Sequence, residues 1–360
     1  RDGRVLAPRL VRVQGDGRPD FGDGAVVVTG ATGTLGRLIA GHLVRAHGVQ
    51  KLILIARSAK PTTIEGAEVR SVACDLGDAE AVAEALAGEN VTAVIHAAGV
   101  LDDALLTDLT PERVATVFRA KVDAARNLVA ATKDLTALVL FSSAAGILGN
   151  PGQANYAAAN AFLDAYAEQL RAEGVPATSL AWGLWESGMA GTLTEAEKRR
   201  LRQGGVLPFT VEQGLAAFDA ALGVDLPVVV PVALDLAALR HAPGVPPVLA
   251  GLVPAARTGP DEKALEAFQR GLARMSAEDR HTALTDLVRR QTAIVLGHAE
   301  TEVLDPERPF LEAGFDSLTS VELRNRLAAA TGLRLPTTLL FDHPSPAVLV
   351  THLTGQFTGG

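Results

Sequence analysis

From residue 25 the chain alternates short, nearly continuous apolar runs with alanine- and leucine-rich stretches. AVVVTG (25–30), KLILIA (51–56), EVRSVA (68–73), VTAVIHA (91–97), TALVLFS (136–142), PATSLAW (176–182) and PVVVPV (227–232) predict strands. Strands without polar alternation belong in a parallel sheet covered on both faces. TLGRLIAGHLVRAHG (34–48) predicts the first covering helix. The expected fold over 25–242 is a doubly wound α/β domain. Near residue 241 the pattern breaks. HAPGVPPVLAGLVPAARTGPDEK has no period and many prolines and glycines, which predicts a linker over 243–264. Only helical patterns follow, near 277–297, 317–331 and 346–355, predicting a small all-α bundle over 265–360. Residues 1–24 precede the first strand and read like the middle of a longer polypeptide.

Composition narrows the classes. A length of 360 residues predicts two domains or one large one. With 48 % hydrophobic and 21 % charged residues, the chain buries a core and stays soluble. A net charge of −8 argues against nucleic acid as partner, because phosphate contacts want a basic surface. No apolar run reaches the roughly 18 residues of a membrane span, and the first residues have no signal-like region. The single cysteine, Cys74, excludes an internal disulfide and a thiolate metal cluster, so no metal is expected and a reducing, cytoplasmic compartment is the default.

Candidate chemistry begins after the first strand. VVVTGATGTLG sets Gly30, Gly33 and Gly36 between a strand and a helix start, where backbone approaches a pyrophosphate and the helix N-terminus faces its charge. An NAD site usually places an acid at the end of the second strand; this chain has Arg57 and Ser58. A guanidinium there pairs with a 2′-phosphate, which predicts NADPH. Asp75, after the third strand, is placed either to meet the adenine or to cap a helix.

The second cluster surrounds Tyr156, one of two tyrosines in the chain. Tyr156 and Asn160 share one face of a predicted helix. Ser143 ends the strand before it, and Lys121 lies in an earlier helical segment. A ketone reductase needs a proton donor, and a nearby ammonium is expected to lower a phenol's pKa toward use near neutral pH. The Ser143 hydroxyl would hold a carbonyl beside the phenol. Trp182, Trp185 and Met189 follow the sixth strand, where they form either a lid or core.

VVVTGATGTLG, HAAGVLDD, AKVDAARNL, LFSSAAGILGNPGQANYAAANAFLDA and LAWGLWESGMAG together resemble the short-chain dehydrogenase/reductases, and more closely the ketoreductase domain of modular type I polyketide synthases. The resemblance covers about residues 20–240 and implies a Rossmann-like fold. It implies a proton-donating Tyr156, a ketone-orienting Ser143, and support of the phenol and proton relay by Lys121 and Asn160. Most of the superfamily has lysine where Asn160 stands; the exchange with Lys121 is that of the polyketide enzymes. The implied NADPH contacts are Thr29, Gly30, Thr32, Gly33, Thr34, Leu35, Gly36, Arg57, Ser58, Asp75, Leu76, Ala97, Ala98 and Gly99. Leu101, Asp102 and Asp103, with Pro151, Asn155 and Met189, resemble the B-type stereocontrol set, which implies a 3R (D) hydroxyl. Ala158 implies no α-epimerisation. Such domains also carry an upstream structural half, of which residues 1–24 resemble the tail.

GFDSL with VELRNRL, then LPTTLLFDHPSPAVLVTHL, resembles a four-helix acyl carrier protein over about 265–357. The resemblance implies 4′-phosphopantetheine on Ser317; without it, Ser317 next to Asp316 reads as a helix cap. The implied partners are a carrier-bound β-ketoacyl chain, a phosphopantetheinyl transferase, and ketosynthase and acyltransferase domains. The expected function is NADPH-dependent reduction of a β-ketoacyl thioester. The alternatives are a redox-silent scaffold with a working carrier, disfavoured because Lys121, Ser143, Tyr156 and Asn160 are all present, and an unrelated reductase or epimerase, which leaves GFDSL unexplained.

Overall fold

The apolar runs form β1 (Ala25–Thr29), β2 (Lys51–Ala56), β3 (Glu68–Ala73), β4 (Val91–His96), β5 (Ala137–Ser143) and β6 (Ala177–Trp182) in the computed structural model. The structure describes residues 7–15, 17–58, 60–187, 205–241, 245–253, 262–296, 305–315 and 317–357. Two further short strands, β7 (Val206–Leu207) and β8 (Val228–Val229), follow, and β9 (Ala233–Leu234) pairs antiparallel with β7. The main sheet is parallel with the order β3–β2–β1–β4–β5–β6–β8. PVVVPV was expected as one strand. It is split between β8 and the approach to β9, because Pro227 and Pro231 have no N–H for a ladder; both prolines instead accept, from Ser179 and Gly183.

Alternate residues of each strand enter different cores. On one face Val26, Val28, Leu52 and Leu54 pack with Ile39 and Leu43 of helix α1 (Thr34–His47) and with Phe218. On the other, Val27, Ile53 and Ile55 pack with Leu128 and Leu163. The helices of that second face include α2 (Ala79–Leu86), α4 (Ala124–Ala130) and, after the short α5 (Ala145–Leu148), α6 (Ala154–Ala172), while α3 (Pro111–Phe118) packs on α6 through Val117. A π-helical turn over Arg119–Asp123 joins α3 to α4. Helix α7 (Val211–Leu222) is fastened to α1 by Asp219, whose carboxylate accepts from His42 Nε2 and His47 Nε2, both at 2.8 Å.

The chain divides into two compact units, 1–236 and 237–360, slightly ahead of the expected boundary at 242. After α8 (Leu236–His241), the second unit holds α9 (Glu262–Arg274), α10 (Ala277–Leu296), α11 (Ser317–Thr331), α12 (Leu339–Asp342) and α13 (Pro346–Gln356). Helix α9 starts within the expected linker. Leu272, Leu284, Leu287, Phe310, Phe315, Leu323, Leu327, Leu349 and Leu353 form the core of the bundle. No helix among the described residues is long and apolar enough to cross a membrane.

Candidate active site and carrier serine

The sheet order reverses direction between β1 and β4, and the crevice outside the carboxyl ends of strands at such a switch point is where open α/β folds bind ligands. The expected residues gather there. Gly30 follows β1 with φ +65°, and a Cβ on it would lie 2.9 Å from the Ala97 carbonyl oxygen and from Ala98. Gly36, in the first turn of α1, would bring a Cβ within 2.4 Å of the Gly30 carbonyl oxygen. Gly33 caps α1 and donates its N–H to Gly30 at 2.9 Å. Only glycine closes this turn without moving backbone. Thr29 ends β1, Thr34 and Leu35 open α1, and the Thr32 carbonyl accepts from Arg37. Ala97, Ala98 and Gly99 follow β4, with the Ala98 N–H donating to Thr29 Oγ1 at 3.1 Å.

Arg57 and Ser58 are exposed just past β2. Asp75, past β3, does not cap a helix. Asp78 caps α2, accepting from Glu80 and Ala81. Asp75 instead accepts from Arg119 Nη2 at 2.9 Å and from the Gly77 N–H. The Arg119 hydrogen bond is the main cause holding its carboxyl below the usual range, with the Arg57 charge contributing. The sequence reading missed Arg119, which brings a second guanidinium to this end of the sheet. Next to Asp75, Leu76 is buried, and its carbonyl accepts from Asn127.

Across the switch point, Ser143 ends β5 and its Oγ accepts from the Ala145 N–H. Tyr156 and Asn160 lie on the buried face of α6, with Asn160 Nδ2 donating to the Tyr156 carbonyl at 2.8 Å. Asn160 Oδ1 is buried and has no hydrogen-bond partner among the described residues. Lys121 sits on the π turn, 4 % exposed; its Nζ donates to the Phe141 carbonyl at 2.8 Å and lies 5.3 Å from the centre of the Tyr156 ring. Such widened turns recur at functional sites.

The expected lowering of the phenol pKa does not occur. Tyr156 is pushed up from its usual 10, first by burial and further by the Asp103 charge, while the Ser143 and Asn160 side chains pull the other way. The ammonium lies over the ring face, and burial draws Lys121 itself down to about 8. The Asp164 charge pulls Lys121 back up, and Asp164 accepts from Ser179 Oγ at 2.6 Å. Asp164 was another residue missed by sequence reasoning. Its signal was available, since 156, 160 and 164 repeat at helical spacing on one face.

The LDD stretch is tied to α3 and to the turn before α6. Asp102 pairs with Arg113, and its carbonyl accepts from Asn155 Nδ2 at 2.8 Å. Asp103 accepts from Gln153 Nε2, and Ala104 donates its N–H to the Gly152 carbonyl. Leu101 and Pro151 are exposed. Asp102 therefore holds the stretch to α3, while the Asp103 charge reaches Tyr156. Trp182 and Trp185 are buried against each other, with ring centres 4.9 Å apart, and belong to the core. Met189 lies outside the described residues. Among the described residues, one cluster has ligand spacing for a metal, His42, His47 and Asp219, in which Asp219 already bonds Nε2 of both imidazoles.

In the second unit, Ser317 opens α11, just after Gly314 (φ +97°) and the buried Phe315; Asp316 lies outside the described residues.

Residues 24–187 match the family model for the KR domain, and residues 283–353 match the model for the phosphopantetheine attachment site. The chain is 50 % identical over its whole length to the spectinabilin polyketide synthase system protein NorA′ of Streptomyces orinoci. The chain belongs to the ketoreductase and carrier portion of the type I polyketide synthases. Polyketide synthase GfsB of Streptomyces halstedii is 49 % identical over 94 % of the chain. This chain spans only 11 % and 7 % of these two relatives' own lengths. Among solved structures, A-type ketoreductases from a modular polyketide synthase match with TM-score 0.60 and 37 % identity, covering 68 % of this chain and 55 % of that one. The ketoreductase from the first module of phoslactomycin biosynthesis in Streptomyces sp. HK803 matches with TM-score 0.57 and 34 % identity, over 65 % of this chain and 60 % of that one.

Proposed function

We propose that the first unit reduces a carrier-bound β-ketoacyl thioester to the β-hydroxyacyl thioester, and that Ser317 carries the acyl chain through 4′-phosphopantetheine. The observation that carries the reading is the convergence of Ser143, Tyr156, Asn160 and Lys121 beside a glycine cradle that fits a dinucleotide. Gly30, Gly33 and Gly36 would hold the pyrophosphate of NADPH, Arg57 its 2′-phosphate, and Asp75 its adenine. NADPH, when bound, supplies a hydride.

The residues supply the rest. Burial keeps the Tyr156 phenol protonated at neutral pH, which is the form that donates. Ser143 orients the ketone oxygen toward it. As the phenol gives up its proton, the Lys121 ammonium over the ring and the Ser143 and Asn160 side chains stabilise the phenolate. Asn160 Oδ1 offers a free acceptor for the relay that returns the proton. In the LDD stretch, Asp102 and Asp103, with Asn155, would restrict the side from which the thioester enters and support a B-type, 3R product, and Ala158 supports a reduction without α-epimerisation. Ser317 opens α11, and a helix N-terminus favours the negative charge that a phosphodiester would bring there. A phosphopantetheinyl transferase would load it, and ketosynthase and acyltransferase domains would supply the chain.

Reduction of a β-ketoacyl pantetheine thioester with NADPH or NADH tests the assignment. NADPH is the expected donor and the 3R alcohol the expected product. Arg57→Asp is expected to erase most of the preference for NADPH, and an unchanged preference removes the role given to Arg57. A 3S alcohol overturns the facial assignment.

A further inference from the structure

His96 ends β4 and has no exposed surface. Its Nε2 lies 3.2 Å from the Lys121 carbonyl oxygen, and its Nδ1 lies 2.8 Å from Thr29 Oγ1. A carbonyl only accepts, so Nε2 carries the ring proton and Nδ1 accepts from the Thr29 hydroxyl. Thr29 Oγ1 in turn accepts from the Ala98 N–H at 3.1 Å. Burial, with the Lys121 charge, pushes the imidazole down to about 3, so the ring is neutral and this direction of bonding holds at neutral pH. The chain of bonds joins three parts of the site: the strand end before Gly30, the stretch after β4, and the π turn that carries Lys121. A turn that departs from the ordinary helical ladder needs outside support to hold one geometry.

The geometry points to His96 as a positioning residue that anchors the Lys121 backbone to the cofactor-cradle strand and so fixes the Lys121 ammonium over Tyr156. The inference rests on the reductase reading of Lys121 and Tyr156. It adds that the cradle and the proton-donating pair are set relative to one another by a single imidazole.

The test uses the full chain as wild type, His96→Leu and His96→Gln, read by amide hydrogen exchange and by steady-state reduction. Leucine fills the space without hydrogen bonds, and glutamine restores an acceptor and a donor. In His96→Leu, exchange at residues 119–124 is expected to rise at least about tenfold while β5 amides stay as in wild type, and kcat is expected to fall at least about tenfold with KM for the thioester within about threefold. His96→Gln is expected to recover most of both losses. Should the leucine variant fail to fold, His96→Asn replaces it. Asparagine can still serve Thr29 but is too short for the Lys121 carbonyl, and it must show the same two losses. Unchanged exchange at 119–124, an unchanged kcat despite faster exchange, or a glutamine variant no better than leucine would each overturn the role. If wild type binds NADPH and reduces nothing, the reductase reading fails separately, and the exchange data still decide whether His96 anchors the turn.

Discussion

Lys121 is a buried ammonium, and burial draws its pKa from 10.5 to about 8. That shift links both stability and rate to pH. Below 8 the folded chain holds a desolvated charge, at a cost of about 3 kcal/mol for a shift of this size. Between about 8 and 10.5 the unfolded chain binds more protons than the folded one, so stability rises with pH across that window. Lys121→Met is therefore expected to abolish reduction yet stabilise the first unit at pH 7 by about 1–3 kcal/mol, and to flatten the rise. Denaturant melts at pH 7 and 9.5 check this. In wild type, kcat is expected to fall as pH rises through about 8, when the ammonium that supports the phenolate is lost. A pH–rate profile flat from 7 to 9 contradicts it. The candidate residues themselves were legible, since Tyr156, Ser143 and Lys121 stand in quotable motifs. The direction of the Tyr156 shift was not, because burial is a property of packing and no spacing reveals it.

At the scale of elements, the strands were the most legible feature. The runs of β1, β2, β4, β5 and β6 are largely apolar because both faces of the sheet are covered there, whereas the edge strand β3 mixes polar and apolar residues and is partly exposed. The observed limits stay within a residue or so of the expected ones for β1 to β6. The π turn at Arg119–Asp123 was not legible. Its Ala120, Lys121 and Val122 fit an ordinary helix, and the widened turn is held by tertiary partners such as His96 and Phe141. Helix α9 was hidden for the opposite reason: proline and glycine just before it suggested a linker that runs further than it does. The clamp between α1 and α7 was also invisible, since Asp219 lies more than 170 residues from His42 and His47. Asp219→Ala leaves two partly buried imidazoles without their acceptor and is expected to cost about 1–2 kcal/mol. Thermal unfolding would show the loss, with KM for NADPH unchanged because the clamp does not touch the cradle.

For the whole molecule, the proposed function assigns separate chemistry to the two units. The polar groups placed in the reductase site all belong to residues 1–236, and Ser317 belongs to the second unit. Ser317→Ala is therefore expected to abolish the mass gain on treatment with coenzyme A and a phosphopantetheinyl transferase. Its rate on a free pantetheine thioester should stay within about twofold of wild type. A large loss of that rate would mean that the second unit takes part in the reduction itself. The central claim is that Tyr156 gives the proton in a hydride reduction carried out by this chain. The most direct measurement loads Ser317 with a β-ketoacyl pantetheine arm and follows a single turnover of NADPH oxidation in wild type and Tyr156→Phe. One NADPH consumed per loaded carrier, with a hydroxyacyl product by mass, and a loss of at least about a hundredfold in the phenylalanine variant are the predicted results. Intact β-ketoacyl carrier with no NADPH consumed in wild type, or a phenylalanine variant as fast as wild type, would contradict it.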